Sequence, residues 1–91
     1  MKNTATTEIL KQQLEWKESN IKADLNEVLR MMKDKVETME EYGNEENTTM
    51  QIDMLHSIMQ YAQQRYEWLS KCNAEREAFK EALLFVEKLN D

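Results

Sequence analysis

Proline is absent from this 91-residue chain, glycine occurs once, at Gly43, and cysteine once, at Cys72. Sheets and turn-rich folds use many more glycines and prolines at their turns, whereas long helices need neither except at their ends. A lone cysteine excludes an internal disulfide and fits a reducing compartment, so a cytoplasmic location is expected. No apolar run approaches the length of a membrane span, and no membrane association is expected. The opening Met1-Lys2-Asn3-Thr4 is polar with no hydrophobic stretch behind it, so no cleaved secretory signal is expected.

Basic residues are missing from one stretch in particular. Residues 37–53 hold Glu37, Glu40, Glu41, Glu45, Glu46 and Asp53 with no Lys or Arg. The flanking stretches are nearly balanced, so this segment carries the excess behind the net charge of −6. Direct nucleic-acid binding through a basic patch is thereby disfavoured.

The length indicates one domain, residues 1–91, small enough to bury a limited fraction of its surface. Its punctuation is concentrated in Glu40-Glu41-Tyr42-Gly43-Asn44-Glu45-Glu46-Asn47-Thr48-Thr49. Gly43 can take the left-handed conformation that ends a helix. Thr48 and Gln51 have capping-box spacing, with Asn47 as the alternative cap. The pattern predicts helix 1 over about 6–42, an acidic turn at 43–47 and helix 2 over about 48–90. A short connection makes the helices antiparallel neighbours, a rod of roughly 55 Å at 1.5 Å per residue. The expected fold is all-α: a long antiparallel helical hairpin. The alternative is a compact three- or four-helix monomer with helix 1 broken near Ser19-Asn20.

Helix 1 repeats its apolar residues every eleven positions: Leu10–Ile21–Met32, Leu14–Leu25–Val36 and Val28–Met39. That spacing predicts a nearly straight stripe. Helix 2 reads as heptads. One column runs Leu55, Ala62, Leu69, Arg76, Leu83. The other runs Gln51, Ile58, Arg65, Cys72, Phe79, Val86. Met54, Tyr61 and Trp68 flank them on one side, and Ile52, Met59 and Tyr66 on the other. That face is wider than one partner helix can cover. A second copy completing a four-helix bundle is the expected remedy, with Leu55, Ile58, Ala62, Leu69, Cys72, Phe79, Leu83 and Val86 in the core or dimer seam.

Residues able to carry chemistry are few and scattered. Asp53-x-x-His56 places a carboxylate and the only histidine on one helix face, a fragment of a carboxylate–histidine di-metal site of which a dimer would supply a second copy. The more ordinary reading is a surface histidine. Cys72 lies more than four turns from His56, too far for an activated thiol. Arg65 and Arg76 sit in heptad columns, either snorkelling out or fixing register through a paired charge. No phosphate-binding loop or serine-nucleophile motif occurs. No cofactor, metal or catalytic activity is expected.

The central turn resembles that of the secreted helical hairpins with a Trp-x-Gly turn, but Glu41-Tyr42-Gly43 has Glu where those have Trp. Neither Trp16 nor Trp68 is followed by x-Gly. The remaining expectation is a protein–protein interaction module: an adaptor, chaperone or inhibitor. Its candidate contact residues are Glu37, Met39, Glu40, Glu41, Tyr42, Glu45, Glu46, Met50 and Met54, an acidic, methionine-rich tip, or else the flank of helix 2. Methionines adapt to irregular partners, and clustered carboxylates steer a basic surface into contact. A tip of this kind also suits an inhibitor of a nucleic-acid enzyme that mimics phosphate charge.

Overall fold

The computed structural model describes residues 4–90. Helix α1 spans Thr4–Glu41, a single 3₁₀ turn spans Glu45–Asn47, and helix α2 spans Thr48–Asn90. The two helices lie antiparallel as one hairpin. No described helix is long and apolar enough to cross a membrane. The rod measures 73 × 16 × 13 Å, longer than helix 1 alone implied, because α2 contributes 43 residues, about 64 Å. Its radius of gyration is 20.5 Å, against about 12 Å for a compact chain of this length.

Helix α1 runs unbroken through Ser19 and Asn20, so the three- or four-helix alternative does not form. Both residues point outward, while Lys17 and Ile21 on either side are half-buried. Seam contacts one turn apart therefore bracket the weak dipeptide.

The seam follows heptads on both helices. On α2 the inward positions are Gln51, Met54, Ile58, Tyr61, Ala62, Leu69, Cys72, Arg76, Phe79, Leu83 and Val86. On α1 they are Leu10, Leu14, Lys17, Ile21, Val28, Met31, Met32, Lys35 and Met39. The eleven-residue stripe on α1 is thus a correction: Leu25 and Val36, which it placed inward, are exposed. An antiparallel partner that repeats every seven residues imposes its own period, and α1 meets it by turning Lys17 and Lys35 inward. These lysines lay their stems along the seam and their ammonium groups over aromatic rings. Lys17 Nζ is 4.9 Å from the Phe79 ring centroid and 3.4 Å from Glu75 Oε2. Lys35 Nζ is 5.3 Å from the Tyr61 centroid.

The turn is built differently from its sequence signals. Gly43 does not adopt a left-handed conformation. It is needed for close approach: a Cβ there would lie 2.9 Å from the Glu40 carbonyl oxygen and 3.4 Å from Gln51 Nε2. Asn44, in extended conformation, caps the 3₁₀ turn by accepting from the Asn47 amide at 3.0 Å. The Thr48 hydroxyl donates backward to the Glu45 carbonyl at 3.1 Å. Gln51 does not close a capping box with Thr48. Its Nε2 instead crosses the hairpin and donates to the Met39 carbonyl at 3.0 Å. That carbonyl sits in the last turn of α1, where it also accepts from the Tyr42 N–H at 3.3 Å, and Gln51 adds a second donor from across the hairpin.

Candidate interaction surfaces

Two lateral flanks and the tip are the surfaces this hairpin offers. The cross-hairpin contacts set which residues lie level. Met39 faces Gln51 and Lys17 faces Glu75, so positions 30–31 of α1 lie level with 60–61 of α2. At 3.6 residues per turn, Asp24, Glu27 and Met31 fall on one side of the seam residue Val28, and Leu25, Leu29, Met32 and Val36 on the other.

The first flank is a mixed aromatic and charged groove. A cleft of about 400 Å³ is lined by Trp16, Asn20, Asp24, Trp68, Cys72 and Glu75. It continues past Glu27, Met31, Tyr61 and Arg65. Arg65 lies over the Tyr61 ring at 5.6 Å, and Arg30 bridges Glu27 and Asp34 on α1 at 2.6 and 3.3 Å. The Arg30 hydrogen bond and positive charge hold the Glu27 carboxyl below its ordinary range. Both groups are exposed, and pairs of this kind add little to stability. Arg76 reaches Glu77 at 3.1 Å, while its buried Nε has no partner among the described residues.

The second flank is apolar. Leu25, Leu29 and Val36 of α1 lie beside Ile52, Leu55, Met59 and Tyr66 of α2, and all seven are exposed. Ile52, Met59 and Tyr66 are each more than 60% exposed (61%, 61% and 65%). Along α2 the flank residues Ile52, Leu55, Met59, Ala62, Tyr66 and Leu69 include no charge. Leu55 therefore lies outside the intrachain seam, where Met54 takes the inward position. At the open end of the rod, Ile9, Leu84, Phe85 and Leu89 are also exposed.

The tip gathers the carboxylates. Glu37, Glu40, Glu41, Glu45, Glu46 and Asp53 are exposed, and none joins an ion pair among the described residues. Tyr42 and Met50 are exposed beside them. Met39 and Met54, together with Met31 and Met32, are half-buried in the seam. The methionines are thus divided between core and surface.

Asp53 and His56 are both exposed on α2. Among the described residues, no three His, Cys, Asp or Glu side chains gather where a metal ion could be held. Cys72 is half-buried and sixteen residues along α2 from His56, about 24 Å at helical rise.

Two features escaped a reading based on apolar positions alone. Lys17 and Lys35 occupy the heptad series 10-17-24-31 and 14-21-28-35 on α1, which becomes visible only when long cationic stems are admitted to the seam. Leu25, Leu29, Met32 and Val36 form a second stripe at spacings of four, three and four, a period that marks one helix face. Compared with protein-family models, curated proteins and solved structures, the chain matches none.

Proposed function

We propose that this chain is a non-enzymatic helical interaction module whose working surface is its apolar flank, with the acidic tip as a second contact. One observation carries this reading. Among the described residues only Val28 and Ile58 are buried, at 9% and 7% exposure, while fifteen large hydrophobic side chains are exposed. A contiguous apolar patch on a small chain marks a surface that is covered in the working state. A rod of two helices presents that patch as a rigid, shallow face suited to another helical surface. The separation of Cys72 from His56 along α2 is in keeping with a role in binding, since it leaves that thiol without a nearby imidazole base.

A second reading, docking of the acidic tip onto a basic protein surface such as that of a nucleic-acid enzyme, is favoured by the six unpaired carboxylates at one end of the rod. Contacts driven by exposed charge weaken with salt, whereas apolar ones do not.

A photo-reactive phenylalanine analogue placed in turn at Met59, Tyr42 and His56 separates these readings. Protein adducts from Met59, unaffected by salt and missing from His56 on the outer face, are the expected result. Adducts from Tyr42 alone, lost in high salt, would favour the tip. Absence of adducts from both Met59 and Tyr42 would end the interaction reading.

A further inference from the structure

We infer that the occupant of the apolar flank is a second copy of this chain, packed antiparallel about a two-fold axis that crosses the rod near residues 30–31 and 60–61. The inference rests on the reading of that flank as the working surface and names what covers it.

Self-complementarity of spacing is the first argument. On α1 the flank residues Leu25, Leu29 and Val36, with Met32 half-buried where the flank meets the seam, are spaced four, three and four, a palindrome centred between residues 30 and 31. On α2 Leu55, Met59, Ala62 and Tyr66 repeat the same palindrome, centred between 60 and 61, and Ile52 and Leu69 extend it symmetrically, with Ala62 and Leu69 half-buried at the edge where the flank meets the seam. The register of the hairpin, with Met39 facing Gln51 and Lys17 facing Glu75, puts both centres at one level. A two-fold axis through that level maps each stripe onto itself, as an isologous interface requires. Leu25 then meets Val36 of the second copy, Leu29 meets Met32, Ile52 meets Leu69 and Leu55 meets Tyr66.

Charge at the centre of the contact agrees with this placement. The α2 stripe is uncharged, so no like charges are forced together inside the contact. One step beyond the α1 stripe, Lys22 comes level with Met39 of the second copy, next to Glu40, and one step further Glu18 comes level with Gly43 of the second copy, so attraction and repulsion both fall at the ends of the contact.

The exposed area supplies the third argument. A compact chain of 10.9 kDa exposes about 5,600 Å². This hairpin exposes 7281 Å², an excess of about 1,700 Å². A stable interface covers about 800 Å² on each partner. The excess is therefore sufficient for a dimer, and the groove of Trp16 and Trp68 lies on the opposite flank, outside this contact.

The test combines solution mass with one distance. Light scattering of the full chain is expected to give two copies per particle, about twice 10.9 kDa. With Cys72→Ser and a spin label on Asn44→Cys, the two labels should lie about 40 Å apart, because the antiparallel copies point their tips to opposite ends. Leu29→Glu with Met59→Glu should reduce the particle to one copy, and Trp68→Glu should leave two. A single-copy mass for the unaltered chain at every concentration would overturn the inference, even if Met59 cross-links to another protein. Labels within about 20 Å, tips side by side, would overturn the antiparallel arrangement. Should the doubly substituted chain fail to fold, the mass and the label distance of the dimer still decide.

Discussion

Ile58→Asn is expected to abolish the folded hairpin at low micromolar concentration, while Ser57→Asn, one residue away, leaves it within about 0.5 kcal/mol of the original. Among the described residues Ile58 is one of only two that are buried, and Ser57 is exposed on the same helix. Removing the Ile58 side chain from the seam forfeits about 1.5–3 kcal/mol of burial. A carboxamide held in the seam at this position without a hydrogen-bond partner would add a further cost of about 1–3 kcal/mol. Together the two effects approach the whole stability of a small domain. Helical circular dichroism during urea titration reads both variants. Equal stability of the two would show that Ile58 is not the centre of the seam.

Gly43→Val should destabilise the turn by about 1–3 kcal/mol, the usual cost of forcing extra atoms into a packed site. The new Cβ would sit 2.9 Å from the Glu40 carbonyl oxygen, a backbone atom that cannot swing aside. Relieving the contact means opening the Gly43 N–H to Glu40 bond, 3.0 Å, and displacing Gln51 from the Met39 carbonyl. Gly43→Asn discriminates the cause. A glycine needed for a left-handed conformation is replaced by asparagine at modest cost. A glycine needed for lack of a Cβ is not, and here asparagine should be nearly as damaging as valine. The same urea titration measures all three. Recovery of stability in Gly43→Asn would contradict the close-approach account.

Much of the architecture was legible because its signals are compositional. The absence of proline and the single Gly43 at the midpoint indicate two long helices and one turn, and the heptads of α2 locate most of its inward residues. What was misread lay where two elements meet. Gly43 marks the turn correctly, yet its reason depends on Glu40 and Gln51 approaching from either side. Gln51 has the spacing of a cap within its own helix but spends its amide on Met39, twelve residues back. Leu25 and Val36 belong to an eleven-residue pattern that is real on α1 alone. Pairing with a heptad helix selects Lys17, Ile21, Val28 and Lys35 instead. Local spacing states what a helix can present, and the partner decides what it buries.

The candidate surfaces divide along the same line. The acidic tip and the width of the α2 face are visible in one dimension. The apolar flank as a shared surface of both helices is not, because the α1 and α2 stripes fall on the same side of the rod only once the register is known. The methionine cluster shows the reverse: six methionines near the tip in sequence, with Met31, Met32, Met39 and Met54 drawn into the seam.

The central claim is that this hairpin is incomplete alone and is stabilised by covering its flank. Urea denaturation at chain concentrations from about 1 to 100 μM tests it most directly, since a self-associating fold gains about 1.4 kcal/mol of apparent stability for each tenfold rise in concentration. The account predicts a midpoint that climbs steadily across that range. A midpoint that stays fixed, for a hairpin already stable by more than about 5 kcal/mol, would mean the rod stands on its own seam and would contradict the claim.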